Sequence, residues 1–108
     1  MTAAKVKVLA ENGSIRIALS GEIDLANAAA VEDEIRAAVS RHPTTVSVDL
    51  TDLMYMDSSG IRILFTLASR LQAMRIMLEL IVPLDSLIRR LIEISGFESH
   101  ATVRPGRR

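Results

Sequence analysis

The 108-residue sequence contains no cysteine and no tryptophan, and it has only one tyrosine and two phenylalanines. The absence of cysteine excludes disulfide bonds, thiolate metal sites and cysteine nucleophiles. The 13 lysines and arginines balance 13 aspartates and glutamates, which argues against nucleic acid as a direct partner because phosphate binding depends on clustered basic residues. The basic cluster at the C-terminus (Arg104, Arg107 and Arg108) is interpreted as a solvated tail, residues 104–108.

The sequence also lacks a long uncharged apolar run. Its most apolar region, residues 61–82, is interrupted by Arg62, Arg70 and Glu79, whereas a membrane-spanning helix needs about 20 largely uncharged residues. The start of the chain has no apolar core typical of a signal peptide. We therefore expect no membrane span and a cytoplasmic location.

What the sequence has in quantity is aliphatic side chains: 49% of its residues are apolar, enough for the core of one domain. Their spacing predicts an alternation of strands and helices. The predicted strands are 6–10, 14–20, 45–50, 76–82 and about 100–103, and the predicted helices are about 25–41, 59–72 and 87–94. Asn12-Gly13 indicates a hairpin between the first two strands. The remaining order implies an α/β fold with a mixed, mostly parallel sheet, ordered over about residues 5–103.

Each predicted helix has an apolar stripe and a candidate cap. Asp24 can cap the first helix and Asp85 or Ser86 the third, whereas Ser95-Gly96 ends the third. The expected buried positions are Val31, Ile35, Ala38 and Val39 in the first helix, Ile61, Leu64, Phe65, Ala68 and Leu71 in the second, and Leu87, Ile88, Leu91 and Ile92 in the third. Ile63 and Leu67 fall outside the second stripe, which makes them either partner contacts or a second core face.

The stretch Met56-Asp57-Ser58-Ser59-Gly60 follows a predicted loop, residues 51–56, at the carboxyl end of the third strand. Binding sites of open parallel sheets lie at this edge. A helix that begins here offers unpaired backbone N–H groups and the positive end of its dipole, which could hold a phosphate attached to Ser58. The alternative is purely structural: Ser58 is the helix N-cap and Asp57 a turn residue.

An enzymatic role for Ser58 is not supported, because a serine nucleophile needs a nearby base. The two histidines, His42 and His100, are predicted at the opposite edge of the sheet, and the spacing Gly-x-Ser-x-Gly is absent. A metal site is not supported either, since the consecutive acidic residues 32–34 diverge around a helix. We therefore predict a protein that is not an enzyme.

Three segments resemble the STAS domain, and most closely the bacterial anti-anti-sigma factors, also called anti-sigma factor antagonists. They are SGEIDLANA (20–28), VSVDLTDLMYMDSSGIRIL (46–64) and LIEISGF (91–97), and they occur in order over nearly the whole chain. The resemblance implies a single STAS domain over residues 1–108, with a βα superhelix whose helices lie mainly on one face of the sheet. It implies no cofactor and no particular oligomeric state.

The resemblance also implies a phosphorylation switch. In that family an anti-sigma factor that is a serine kinase phosphorylates the serine after the motif aspartate, which here is Ser58. The unphosphorylated antagonist binds the anti-sigma factor and frees the sigma factor, the phosphorylated form releases it, and a serine phosphatase reverses the mark. To the implied docking surface we assign Asp24, Asp57, Ser58, Ser59, Gly60, Arg62 and Ile63.

A second interpretation is a STAS subunit of a lipid transporter complex of the ABC type, bound permanently to its ATPase. The complete Asp57-Ser58-Ser59-Gly60 motif favours the regulator, because a permanent structural contact needs no phosphorylatable serine. The chain departs from many relatives at Arg62, where they have a small residue, and at Ala73-Met74, where they have two glycines.

Overall fold

The computed structural model describes residues 3–40 and 42–106. Within these residues five strands form one sheet in the order β1-β2-β3-β4-β5, in which β1 is antiparallel to β2 and the other neighbours are parallel. The strands are β1 (Ala4–Glu11), β2 (Ser14–Ile23), β3 (Thr45–Met56), β4 (Met77–Ile81) and β5 (Thr102–Arg104). The helices are α1 (Ala28–Val39), α2 (Ser58–Ala73), α3 (Leu87–Ser95) and a short 3₁₀ helix (Phe97–Ser99). The predicted mixed, mostly parallel sheet is confirmed.

The predicted hairpin between β1 and β2 is confirmed. Asn12 and Gly13 have φ angles of 52° and 83°, as the tight turns that suit twisted strands require. Glu11 is paired with Ser14 directly across this turn. The turn therefore fixes the register of the whole hairpin.

The two faces of the sheet differ in chemistry. Right-handed crossovers between strands in sequential order place the three α-helices on one face, where Ile17, Val48 and Leu80 are completely buried. The opposite, open face carries polar side chains that pair across strands, for example Arg16 Nη2 with Asp49 Oδ2 at 2.7 Å. The core therefore lies between the sheet and its helices, as the mainly one-sided arrangement predicts.

Strand β3 is longer than predicted, and the expected loop over residues 51–56 is wrong. The pairing of β3 with β2 shifts twice, between Ala18 and Ser20 and between Gly21 and Glu22. Each shift inserts one extra residue in β3, as a β-bulge does. The buried residues near the end of β3, Leu50, Leu53 and Met56, consequently lie three positions apart instead of two. This spacing is not typical of a strand, so the sequence does not predict one here.

Helix α1 begins later than predicted, at Ala28 instead of Leu25. Residues 25–27 form a turn, so the chain leaves β2 through a short loop before α1 starts. The predicted inner positions Val31, Ile35 and Val39 are buried. Arg41, given as the approximate helix end, lies outside the described residues.

For helix α3, the predicted cap and C-terminal end are confirmed, but only part of the predicted buried face is. Ser86 Oγ accepts a hydrogen bond from the Arg89 backbone N–H at 3.0 Å, and Gly96 ends the helix with a φ of 78°. Leu87, predicted to be buried, is 80% exposed, whereas Arg89 is buried. The Arg89 guanidinium can be buried because its Nη2 donates to the Val82 carbonyl at 2.8 Å.

The C-terminal segment is ordered further than predicted. Strand β5 includes Arg104, whose Nε lies 2.8 Å from Glu79 Oε2, so this arginine is not part of a free tail. His100 precedes β5 and packs edge-to-face on Phe65, with ring centroids 5.3 Å apart. Arg107 and Arg108 lie outside the described residues. No helix among the described residues is long and apolar enough to cross a membrane.

Candidate functional site

The site lies where two neighbouring parallel strands, β2 and β3, end at the same edge of the sheet. Ile23, the last residue of β2, is paired with Met56, the last residue of β3. Asp24 and Asp57 follow these residues directly, and the Asp57 N–H donates to the Ile23 carbonyl at 3.3 Å. The two aspartates are therefore brought to one edge of the sheet, as the sequence predicts.

Asp57, and not Ser58, is the N-cap of α2. Its Oδ1 accepts a hydrogen bond from the Ser59 N–H at 2.8 Å, and its carbonyl accepts from the Gly60 N–H at 3.0 Å and the Ile61 N–H at 3.3 Å. The prediction that Ser58 caps the helix is wrong because the extended backbone of Asp57 already occupies that position. Ser58 is consequently the first helical residue.

The Ser58 side chain is exposed on the rim of the sheet. Within residues 3–40 and 42–106, no hydrogen-bond partner is found for its hydroxyl. Since Asp57 caps the helix, the Ser58 hydroxyl is not needed as the cap and is exposed to solvent.

Gly60 allows α2 to start directly against the end of β3. A Cβ at this position would overlap Cγ and Sδ of Met56, and Met56 itself is buried. A side chain at residue 60 would therefore have to displace the buried Met56 side chain for the helix to begin at the same place. Gly60 is buried, so the assignment of this residue to a docking surface is not supported.

Asp24 organises the loop between β2 and α1. Its Oδ1 accepts from the Ala26 N–H at 2.9 Å and from the Asn27 N–H at 3.3 Å. Asn27 returns the contact, since its Oδ1 accepts from the Asp24 N–H at 3.0 Å and its Nδ2 donates to the Glu22 carbonyl at 2.9 Å. Asp24 therefore caps the turn that precedes α1, while its side chain stays partly accessible at the site's edge.

A shallow groove separates the first turns of α1 and α2 beside Ser58, with a volume of about 170 Å³. Its walls and floor are formed by Leu25, Ala28, Ala29, Glu32, Ser59, Arg62 and Ile63. Ile63 forms the floor and is only 5% exposed. Of the two alternatives left open for Ile63, a partner contact or a second core face, its burial supports the core face, because α1 covers this side of α2. The assignment of Ile63 to the docking surface is therefore not supported. Arg62 is exposed at the groove; its assignment to partner binding stays a prediction.

The chain matches the STAS domain family model over residues 6–107. It belongs to the STAS domain family. Within that family it is 32% identical to the anti-sigma-F factor antagonist RsfB of Mycobacterium tuberculosis over 94 residues, which cover 86% of this chain and 75% of RsfB.

Solved structures of anti-sigma factor antagonists agree with the fold. The crystal structure of an anti-sigma factor antagonist from Mycobacterium paratuberculosis has a TM-score of 0.86 at 25% identity and covers 95% of this chain and 86% of that chain. The anti-sigma factor antagonist SpoIIAA in its unphosphorylated form has a TM-score of 0.75 at 22% identity, with coverage of 96% and 90%. The second likeness shows the fold alone.

Sequence reasoning missed the exposed apolar side chains around the site of this STAS domain. Leu25 is 81% exposed beside Asp24, and Met54 and Tyr55 are exposed near the end of β3. The sequence predicts Leu25 in a helix and the other two in a loop, so their exposure at the end of the sheet does not follow from periodicity.

Proposed function

We propose that this STAS domain is an anti-sigma factor antagonist controlled by phosphorylation of Ser58. In its unphosphorylated form it binds an anti-sigma factor that is also a serine kinase, and it releases that partner once Ser58 carries a phosphate. The observation that carries the proposal is the exposed hydroxyl of Ser58 at the first position of α2. Similarity to RsfB supports the choice of partner.

The start of α2 can accept a phosphate without unfolding. The positive end of the helix dipole stabilises an anion at this position, while the Ser59, Gly60 and Ile61 N–H groups stay bonded to Asp57. The Asp57 carboxylate is already engaged with the Ser59 N–H, so a phosphate on Ser58 does not have to displace the cap. Phosphorylation therefore changes the surface of the protein and leaves its fold in place.

The effect of the phosphate falls on the partner's binding. It adds about −1.5 to −2 charge and three acceptor oxygens beside Asp57, at a rim that docking would cover. This charge must be desolvated or repelled in the complex. A loss of only about 3 kcal/mol lowers affinity by more than about 100-fold.

The docking surface extends from Ser58 across the groove between α1 and α2. Arg62 and Glu32 supply charges of opposite sign on its two walls, and Leu25 supplies an exposed apolar contact. Covering Leu25 in a complex would remove its exposed apolar surface from water, which favours binding. Ser59, Asp24 and Asp57 complete the surface by holding the two loops in place.

In the proposed cycle the partner proteins catalyse both reactions, and this chain is only their substrate. The kinase transfers the phosphoryl group to Ser58, and a serine phosphatase removes it in the cytoplasm. Both reactions require that Ser58 be reachable by another protein, which agrees with its exposure. Sigma-factor-dependent transcription then follows the phosphorylation state of one side chain.

The test is a calorimetric titration of the cognate anti-sigma kinase with four forms of this protein: wild type, Ser58→Ala, Ser58→Asp and Ser69→Asp. Ser69 is exposed on the same helix, so Ser69→Asp adds the same charge away from the site. We expect Ser58→Ala and Ser69→Asp to bind like wild type and Ser58→Asp to bind at least tenfold more weakly. Equal affinity of Ser58→Asp and wild type would contradict the proposal.

A further inference from the structure

Strand β1 is the antiparallel edge of the sheet. It is eight residues long and, within the described residues, pairs on one side only, with β2. The two-residue turn makes Glu11 and Ser14 a hydrogen-bonded pair. Odd-numbered residues of β1 therefore bond to β2, whereas the N–H and C=O groups of Val6, Val8 and Ala10 point away from the sheet.

On the face of the sheet that carries the helices, the side chains of β1 are apolar. Val6, Val8 and Ala10 lie opposite Leu19, Ile17 and Ile15. An open groove of about 440 Å³ lies over this edge between β1 and α1. Val8 is 44% exposed there, so both backbone groups and apolar side chains are available to a further strand.

The charges of β1 indicate which strand would fit. Lysines usually protect an edge strand from pairing, but here Lys5 and Lys7 lie in one half of β1 and Glu11 in the other. An antiparallel second copy centred on Val8 would bring each Lys5 opposite Glu11 of the second copy. Opposite charges at facing positions stabilise a pair of strands and like charges destabilise it.

Other registers of the same pairing are less favourable. Because the outward groups belong to even-numbered residues, only registers that place even opposite even form hydrogen bonds. Centring the pair on Lys7 brings two lysines together. Centring it on Leu9 pairs Lys7 with Glu11 but leaves only residues 7–11 to form the ladder, two fewer than centring on Val8, because position 6 then faces Asn12 in the turn.

We propose that β1 is a self-association surface, on which a second copy of this chain adds its own β1 antiparallel to form a continuous ten-stranded sheet. The two-fold axis then passes through the sheet at Val8 and keeps both sets of helices on the same face. Strands are about 4.8 Å apart, and α1 packs against both β1 and β2. The two α1 helices would thus lie about 10 Å apart, which is a normal helix-packing distance.

The residues of α1 at this contact permit that approach. Ala37 and Ala38 line the groove and are small enough for two helices to meet. Glu34 borders the same groove, and repulsion between its two copies limits the strength of association. Ser58 follows β3, two strands away from β1, so the dimer leaves the proposed phosphorylation site of each copy open.

The experiment is sedimentation velocity of the full chain over a series of concentrations, with Val8→Pro and its control Val8→Thr. Proline at position 8 removes an outward N–H and no bond to β2, which edge strands tolerate, whereas threonine keeps the N–H. We expect wild type and Val8→Thr to double in mass as concentration rises and Val8→Pro to remain at one chain mass.

If Val8→Pro fails to fold, a second variant, in which the charge of Glu11 is reversed, still tests the proposal. Glu11→Lys places lysine opposite Lys5 and is expected to weaken the dimer at least tenfold, and adding Lys5→Glu is expected to restore it. One chain mass for wild type at every concentration would overturn the proposal. So would a dimer that folded Val8→Pro or Glu11→Lys leaves intact, because association would then use another surface.

Discussion

The side chain of Met56 lies directly against Gly60, in the space that a Cβ on residue 60 would need. This contact joins the last residue of β3 to the first turn of α2. Since Ser58 lies between the two, the contact determines where its hydroxyl is presented. The close approach of strand and helix therefore helps to shape the site, although both residues are buried.

Replacing Gly60 by alanine is expected to destabilise the fold by about 1–3 kcal/mol, the usual cost of overpacking a core. Urea unfolding measures the change, with Ser69→Ala on the exposed face of the same helix as the control. In the double variant Gly60→Ala/Met56→Ala, part of the cost should disappear because the smaller side chain makes room. Strictly additive costs would show that the Met56 contact is not the cause.

Asp57→Ala is expected to lower the unfolding free energy by about 0.5–2 kcal/mol, because the Ser59 N–H loses its acceptor. Asp57→Asn should lose less, since an asparagine oxygen can accept the same bond. Thermal and urea unfolding of both variants decide the matter. If the alanine variant is as stable as wild type, Asp57 does not act as the helix cap.

Arg62 and Ile63 are neighbours in sequence with opposite expected effects. Ile63→Ala should cost about 2–5 kcal/mol of stability because it leaves a cavity under α1. Arg62→Ala should leave stability nearly unchanged and weaken binding of the anti-sigma kinase. Urea unfolding and titration of each variant separate the two roles, and a stable Ile63→Ala protein would refute its assignment to the core.

The pH dependence of stability should include a contribution from Asp49. Partial burial raises the pKa of this carboxyl, but hydrogen bonds from Thr51 and Arg16 together with the charge of Arg16 outweigh it, so the pKa is lowered overall. A lowered pKa gives stability that is present above the unfolded-state pKa and is lost as pH falls through the folded-state pKa.

Wild type should therefore lose more unfolding free energy than Asp49→Asn when the pH is lowered below about 4, where free aspartates titrate. Urea unfolding at a series of pH values measures the difference. Parallel pH profiles for the two proteins would mean that the Arg16–Asp49 pair does not contribute. The effect should shrink at high salt because Arg16 is about half exposed.

Much of the fold could be predicted because local signals were unambiguous. Asn12-Gly13 predicts the hairpin, and the alternation of strand and helix periods along the chain predicts a mostly parallel sheet. The end of β3 could not be predicted, because two bulges change the spacing of its buried residues to three. Such shifts depend on how β3 pairs with β2. The sequence of β3 alone does not carry that information.

The candidate site was predicted in position but not in detail. The order of strands brings Asp24 and Asp57 to one edge, and this follows from topology alone. Which of Asp57 and Ser58 caps α2 depends on the backbone angles of one residue, and both residue types are good caps. Helix α3 has aliphatic residues on several sides, so its sequence does not show which side is buried. The exposure of Leu87 and the burial of Arg89 were therefore not predicted.

The central claim is that Ser58 accepts a phosphoryl group from a protein kinase. Intact-mass analysis with site mapping, after incubation with the cognate anti-sigma kinase and ATP, tests it directly, with Ser58→Ala as the control. The account predicts one phosphate, located on Ser58, in the wild-type protein and none in Ser58→Ala. An unmodified wild-type protein, or a phosphate on another residue while Ser58 stays free, would contradict it.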